Sequence, residues 1–254
     1  MRLMGLDPLR AVSTIRGLPW YLRDLRTLKV QAGSAEAEFP LGELHPCLGD
    51  RSAESGVASG HYFHQDLLVA RRVFAGNPSI HLDVGSRIDG FVAHVAAFRS
   101  IQVIDIRPMT SPIPSIQFIQ CDVMRDIPES FVDYCDSLSC LHALEHFGLG
   151  RYGDPVRFDG YVVGLGNLAK IVRQGGKFYL SLPIGPQRIE FNAHRVFSVR
   201  YLLELVRPRF KIDSFSFVDD QGDLHEGVDL TEREIARDFA CHFGCGIFEM
   251  TRWN

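Results

Sequence analysis

The sequence lacks any hydrophobic run near the roughly 20 residues that a membrane-spanning helix needs, and its first residues lack the apolar core of a secretion signal. A basic excess is also missing, since 27 Lys and Arg stand against 31 Asp and Glu, for a net charge of −4. This balance argues against a general nucleic-acid binder. The six cysteines are scattered and three fall in or beside expected core strands, which is typical of reduced thiols. We expect a cytoplasmic protein with no nucleic-acid partner.

Repeated glycines are scarce where a dinucleotide-binding protein would have them. Residues 81–90 read as a short buried strand, a sharp turn permitted by Gly85, and a helix start at which Asp89 is the expected N-cap. A G-x-G-x-x-G turn would close on a pyrophosphate, but Asp83 and Asp89 bracket this turn and would repel one. A ligand with a cationic centre and a ribose diol, S-adenosylmethionine (SAM), suits these charges better.

An acidic residue ends or follows each of the next two predicted strands. Asp105 lies near the end of 101–106, where a carboxylate can accept hydrogen bonds from both ribose hydroxyls. Asp122 follows in 116–123, where it could accept from an adenine amino group. Both acids therefore support a nucleoside ligand.

With these residues the chain resembles the class I SAM-dependent methyltransferases. Residues 135–146 are similar to that superfamily's fourth strand and Leu-Glu-His segment, and residues 168–183 to its next helix, Gly-Gly turn and fifth strand. The resemblance implies an α/β fold, with a Rossmann-like seven-stranded mostly parallel sheet and helices on both faces. It also implies a SAM site formed by Asp83, Gly85, Ser86, Arg87, Asp105, Asp122, Tyr62 and Gln65.

The first motif departs from the superfamily, because Arg87 and Asp89 stand where the second and third glycines would be. Gly-Ser-Arg-Ile-Asp-Gly, with 62–66 and 245–250, resembles an uncharacterised family of methyltransferase-like proteins. Arg87 would either pair with the cofactor carboxylate or block the site. The alternative to an enzyme is therefore a protein that keeps the fold but does not methylate. Tyr62, His64 and Gln65 would contact the methionine end of the cofactor, or merely cap their helix.

The segment His142-Ala-Leu-Glu-His146 is the richest in chemistry. The resemblance places it beside the methyl group, where a histidine could act as general base on a hydroxyl. His146 and Glu145 are the first candidates, then His142, with His194 of the 192–195 loop as a further base. We expect O-methylation of a small-molecule or carbohydrate acceptor. Two acids such as Asp136 and Glu145 are weak evidence for a magnesium ion, so no metal is predicted.

Two zinc hypotheses compete with this interpretation. Histidines one helical turn apart, with a glutamate between them, match the inverted zinc-peptidase motif H-x-x-E-H, for which Glu190 or Glu204 would supply a third ligand. Cys241 and Cys245 could also bind zinc, but the sequence offers no second ligand pair for them.

Residues 1–60 are predicted to form an N-terminal helical arm and linker, and 61–254 the SAM-binding domain. Residues 1–30 hold six basic and two acidic side chains in an amphipathic pattern with a break expected near Gly17-Leu-Pro19. The arm would pack on the core or contact a membrane surface peripherally. Further along, we expect Asp159 to N-cap a helix that Gly175 ends, and a second helix from Ser198 to Val206. Thr231 is expected to open a short helix reaching about Ala240.

Overall fold

The computed structural model describes residues 8–32, 39–53 and 55–253, with side chains from residue 16 onward. Contacts divide the chain into two units, Met1–Val57 and Ala58–Asn254. In the described residues no helix is both long and apolar enough to cross a bilayer.

In the first unit one helix, α1, runs from Pro8 to Ala32 with Pro19 inside it, so the break expected near Gly17 is wrong. Glycine at position 17 instead allows the backbone of Leu48 to approach the helix closely. A Cβ at Gly17 would lie 2.5 Å from the Leu48 carbonyl oxygen. Residues 39–53 pack on this helix through Arg51, whose guanidinium lies 4.4 Å from the Trp20 ring centroid and 3.1 Å from the Asp24 carboxylate.

Over residues 58–253, the second unit contains a central sheet, a small hairpin sheet and five α-helices. The helices are α2 His61–Gly76, α3 Ala93–Ala96, α4 Gly160–Ile171, α5 Val199–Val206 and α6 Glu232–Ile235. The strands are β1 His81–Val84, β2 Ile101–Asp105, β3 Ile116–Gln120, β4 Cys135–Leu141, β5 Val172–Ile184, β6 Arg188–Glu190, β7 His194–Val196, β8 Phe210–Val218, β9 Leu224–His225 and β10 Gly244–Arg252.

The central sheet has the order β3-β2-β1-β4-β5-β10-β8-β9. Strands β1 to β5 are parallel, while β10 runs antiparallel to both β5 and β8. The predicted mostly parallel α/β sheet is thus confirmed, but it has eight strands rather than seven. The additional strand is β9, a two-residue edge strand on β8 that is too short to carry an alternating hydrophobic pattern.

Helices cover both faces of this sheet, as predicted. Leu68, Val73 and Phe91 pack with Val103 of β2 in one core on the α2 and α3 side. On the other face α4 and α5 pack on β4 and β5 in a core that includes Leu168, Leu202 and Phe178. All of these side chains are at most 5% exposed, so the sheet is buried on both sides, as parallel sheets usually are.

Several predicted helix ends differ from the structure. A π-helical turn, Ile88–Val92, precedes α3, and Asp89 pairs with Arg87 instead of capping it. Asp159 precedes α4 but binds Arg157, and α4 ends at Ile171 so that Gly175 lies within β5. The cap at Thr231 is confirmed, since its side chain accepts a backbone N–H of the first turn, but α6 ends at Ile235 rather than near Ala240. The predicted helix from Ser198 to Val206 is present as α5, with Ser198 as its N-cap.

Candidate active site at the carboxyl ends of the strands

A cavity of about 290 Å³ opens at the carboxyl ends of β1, β2 and β4. In an open α/β sheet, ligands bind at the point where the strand order reverses, and here that point lies between β1 and β4. Seven of the predicted site residues line the cavity: Tyr62, Gly85, Arg87, Asp105, Asp122, His142 and His146. Five do not: Gln65, Asp83, Ser86, Glu145 and His194.

The floor of the cavity is the turn after β1. Gly85 has φ +75°, a left-handed conformation in which glycine is unstrained, and its N–H donates to the Ile104 carbonyl over 2.9 Å. A Cβ at this position would lie 2.8 Å from the Cβ of Ala143, which follows β4. Glycine is therefore needed both for the turn and for the close approach of the two strand ends.

Asp83 and Ser86, predicted to bind the cofactor, instead hold this turn from beneath. The carboxylate of Asp83 accepts from the Ser86 hydroxyl over 2.6 Å, from the Ser86 N–H over 3.0 Å and from the Ser139 hydroxyl over 2.5 Å. Asp83 is fully buried, and this desolvation raises its pKa to about 7. With its acceptors used inside the protein, Asp83 contributes to the site through backbone geometry.

Asp105 occupies the predicted place at the end of β2, but its carboxylate already has a partner. Arg107 donates to it through Nε over 3.0 Å, through Nη2 over 2.7 Å and through its backbone N–H over 2.8 Å. The same guanidinium lies 4.3 Å from the centroid of the Tyr152 ring. Arg107 and Tyr152 both line the cavity and were missed by sequence analysis, although Arg107 is only two residues from Asp105.

Asp122 lies in the loop after β3, at the side of the cavity. Its Oδ1 accepts the Met124 N–H over 2.9 Å. Its Oδ2 is buried and accepts no hydrogen bond, although the exposed Arg125 brings a nitrogen to 3.4 Å. A buried acceptor without a donor is unfavourable unless a ligand satisfies it, so this oxygen is a candidate contact for an amino group.

Arg87 and Tyr62 form the rim of the cavity. The guanidinium of Arg87 is paired with both oxygens of the exposed Asp89, at 3.0 and 2.8 Å, and lies 5.2 Å from the centroid of the Tyr62 ring. Gln65, on the same helix as Tyr62, is buried, and its side-chain oxygen accepts from Ser181 over 2.5 Å. Gln65 therefore packs beneath the site, and His64 does not line the cavity either.

Two histidines of the 142–146 segment flank the buried Glu145. His142 Nδ1 lies 2.7 Å from Glu145 Oε1, and His146 Nε2 lies 3.7 Å from the same oxygen. Burial opposes ionisation of Glu145, but the contact with His142 outweighs it and lowers the pKa of Glu145 below its ordinary value. Burial also lowers the pKa of His146, which favours its neutral form.

The tautomer of His146 follows from its contacts. Its Nδ1 lies 2.6 Å from the Ala193 carbonyl oxygen, which can only accept, so Nδ1 carries the proton. The lone pair of the neutral ring is then on Nε2, on the side of Glu145. His146 is thus a neutral base with a carboxylate placed to stabilise its protonated form.

His194 lies outside this group. It belongs to the β6–β7 hairpin, where the register sets it opposite Glu190, and its Nε2 is 3.2 Å from that carboxylate. The zinc-peptidase geometry is absent too, because Leu144–His146 is a single 3₁₀ turn rather than an α-helix. Neither Glu190 nor the exposed Glu204 is among the partners of His142 or His146, so this segment does not form that motif's site.

Arg195 fixes the loop that covers the cavity. This buried side chain donates to the carbonyls of Glu145, Phe147 and Phe158. Asp154 stabilises the same loop, because its carboxylate accepts hydrogen bonds from the backbone N–H groups of residues 148, 150 and 152. The sequence pattern gave no signal for Arg195, because its partners are carbonyls of residues 37 to 50 positions away.

Comparisons with known proteins extend this description. The model of the family described as "Caenorhabditis protein of unknown function, DUF268" matches residues 95–240, more than half of the chain. No protein in a search of curated sequences matches.

Solved structures with a similar fold include two methyltransferases crystallised with S-adenosylhomocysteine (SAH). The N-methyltransferase NodS from Bradyrhizobium japonicum has a TM-score of 0.50 and 11% identity, with 76% of this chain and 88% of that chain covered. The Burkholderia thailandensis 1,6-didemethyltoxoflavin-N1-methyltransferase has a TM-score of 0.52 and 16% identity, covering 92% and 89%. The [4+2]-cyclase SpnF has a TM-score of 0.54 and 12% identity, covering 80% and 90%. At these identities the likeness is one of fold, and it confirms the predicted methyltransferase-like fold.

Proposed function

The chain belongs to the DUF268 family, whose function is unknown, and we propose that it is a SAM-dependent methyltransferase acting on a hydroxyl of a small-molecule or carbohydrate acceptor. One observation carries the proposal. The cavity at the switch point is lined by Asp105 from the end of β2 and by Asp122 after β3, whose Oδ2 is buried and accepts no hydrogen bond. These acceptors suit a ribose diol and an adenine amino group.

The donor set of the cavity fits SAM. Gly85 leaves the turn without a side chain, and Asp122 offers a buried oxygen that accepts no hydrogen bond. Arg87 at the rim can exchange Asp89 for a ligand carboxylate. When bound, SAM supplies an electrophilic methyl group on a cationic sulfur, and the acidic lining suits that charge. A diol has to compete with Arg107 for Asp105, because the guanidinium donates to both carboxylate oxygens.

His146 is the proposed general base. A hydroxyl acceptor must lose its proton as it attacks, and His146 lines the cavity with an unprotonated Nε2. Glu145 would stabilise the imidazolium that results, since its Oε1 lies 3.7 Å from that nitrogen. Because Glu145 and His194 do not line the cavity, we assign neither of them a direct contact with the acceptor.

The proposal is tested by calorimetric titration of the full chain with SAM and SAH. We expect micromolar binding that Asp105→Ala abolishes. Asp213→Ala on β8, which removes a carboxylate paired with Lys177 away from the cavity, should bind normally. A protein that binds would then be screened with hydroxyl and amine acceptors.

The engaged Asp105 also favours a second candidate, a protein with this fold that does not bind SAM. A similar fold belongs to a [4+2]-cyclase as well as to methyltransferases, so fold alone leaves the reaction open. No SAM or SAH binding up to about millimolar concentration, roughly the weak limit of specific small-molecule affinities, would favour this candidate and reject the methyltransferase.

A further inference from the structure

Three side chains with metal-binding atoms meet next to the cavity, from distant parts of the sequence. His61 is the first residue of α2, His142 follows β4, and Cys245 lies in β10. One ligand atom from each lies within 4.8 Å of the others. Cys245 is fully buried and His142 is largely so, which makes the group unlike a chance cluster on the surface.

The ring of His142 is oriented as a metal-bound imidazole usually is. Its Nδ1 lies 2.7 Å from Glu145 Oε1, so that the carboxylate accepts the N–H of this nitrogen. Its Nε2 is then left as the free donor atom, and this nitrogen is buried without any hydrogen-bond partner. Metal-binding histidines typically give their second nitrogen to a carboxylate, which fixes the tautomer and the ring orientation. An unpartnered buried nitrogen is otherwise unfavourable.

The other two side chains bring nitrogen and sulfur to the same place. The rings of His61 and His142 are stacked, with centroids 5.2 Å apart and planes 11° from parallel. Zinc sites with bonds of about 2.0–2.1 Å to nitrogen and about 2.3 Å to sulfur place their ligand atoms roughly 3.3–3.6 Å apart. Binding of one ion therefore requires rotations of these side chains that shorten separations of at most 4.8 Å to this range.

We propose that His61, His142 and Cys245 bind one divalent cation of borderline softness, Zn²⁺ being the cation that this donor set fits best. Two imidazoles and a thiolate are typical zinc ligands, and three protein ligands leave a fourth position open. Since His142 also lines the cavity, the ion lies beside it.

This site differs from both zinc hypotheses drawn from the sequence. His146 is not a ligand, because its Nδ1 is used by the Ala193 carbonyl and its Nε2 is not part of the cluster. Cys241 is not a ligand either, because its sulfur is not among the three ligand atoms that lie together. Cys245 thus pairs with two histidines that are remote in sequence and not with its near neighbour Cys241.

The test uses the full chain, stripped of metal with a chelator and titrated with Co²⁺, which Zn²⁺ then displaces. We expect one equivalent of Co²⁺ with a near-ultraviolet sulfur-to-cobalt charge-transfer band. Cys245→Ser should remove that band, and His61→Gln should weaken Zn²⁺ binding at least about tenfold. The matched control is Cys241→Ser, which alters a buried cysteine outside the cluster and should leave the band and the affinity unchanged.

Glu145→Gln separates an orienting carboxylate from a ligand. It should keep the charge-transfer band while weakening Zn²⁺ binding about 10- to 100-fold, the usual effect of losing the partner of a metal-bound histidine. Circular dichroism of each variant checks the fold, and His61→Gln, at a half-buried position, serves if Cys245→Ser does not fold. Absence of the band in the wild type, or equal affinity in the wild type and a folded His61→Gln, would overturn the proposal.

Discussion

Arg107 binds the carboxylate of Asp105 through Nε and Nη2, at 3.0 and 2.7 Å, and thereby covers the acid that ends β2. The ion pair is partly exposed, with 48% of the Arg107 side chain and 13% of the Asp105 side chain accessible. A ligand with a vicinal diol must compete with this guanidinium for the same two oxygens. The pair therefore controls access to the acid on which the proposed nucleoside site depends.

Arg107→Ala should tighten SAH binding. The variant no longer has to break an ion pair before Asp105 accepts the diol, and a partly exposed pair is worth up to about 1 kcal/mol, or about fivefold in Kd. Calorimetry with SAH measures the change.

Arg87→Ala is the matched comparison, because Arg87 also lines the cavity and also pairs with an acid two residues away. It should weaken SAH binding, since its proposed partner is the ligand carboxylate. An identical effect of the two substitutions would contradict the different roles assigned to these arginines.

The parts of the site that could be predicted from sequence are local ones. The strand before Gly85 and the acids at 105 and 122 are visible because alternating hydrophobic residues and a polar residue at a strand end are short-range patterns. The seven longer strands of the central sheet were recognisable for the same reason, whereas the two-residue β9 was not.

The remaining parts depend on tertiary contacts. His61, His142 and Cys245 belong to three separate elements, so no spacing in the sequence relates them. His194 is close in sequence to Ala193, which holds His146, yet the register of the β6–β7 hairpin directs it to Glu190. Asp83 was predicted to contact the ligand. Its carboxylate instead accepts hydrogen bonds from the hydroxyl of Ser86 in the turn and from that of Ser139 in β4.

Gly85→Ala should destabilise the second unit more than its backbone conformation alone explains. An alanine held at φ +75° costs about 1–2 kcal/mol, and its Cβ would also lie 2.8 Å from that of Ala143. Gly153→Ala is the control, since Gly153 has φ +83° but no atom within 4 Å of its Cβ position. Urea denaturation should give the larger loss at Gly85.

Adding Ala143→Gly to Gly85→Ala should restore the steric part of that loss and leave the conformational part. Ala143→Gly alone completes the double-mutant cycle. Additive free energies of unfolding would mean that the approach of Gly85 to Ala143 does not limit this position.

His146→Gln should separate turnover from cofactor binding. Loss of a general base lowers turnover by about 10²- to 10⁴-fold, whereas the SAH affinity should stay within about twofold of the wild type, a change of under about 0.5 kcal/mol. His194→Gln, a histidine outside the cavity, should affect neither quantity. Single-turnover rates with a hydroxyl acceptor from the screen provide the measurement, and equal rates for the two variants would refute His146 as the base.

Asp83→Asn should change the pH dependence of stability in a direction that burial determines. Burial raises the pKa of Asp83 from 3.8 to about 7, so the folded protein holds a proton that the unfolded chain releases between these values. The stabilisation from this proton is complete below pH 3.8 and is lost as the pH rises to 7. Asparagine imitates the protonated form of Asp83. The variant therefore becomes more stable relative to the wild type as the pH rises through this range, by roughly 1.4 kcal/mol per pH unit. Above pH 7 the difference in stability stays constant.

Asp136→Asn is the control of opposite sign. Burial of Asp136 favours its neutral form, but the N–H groups of Ser79 and Ile80, each 2.7 Å from its oxygens, outweigh this and lower its pKa. The wild type is therefore more stable to unfolding than this variant at neutral pH, and this extra stability is lost as the pH falls through the lowered pKa of Asp136. Urea denaturation of the three proteins between about pH 2 and 8 tests both signs, because the Asp136 effect changes only below pH 3.8. A constant difference between Asp83→Asn and the wild type would mean that Asp83 does not take up a proton on folding.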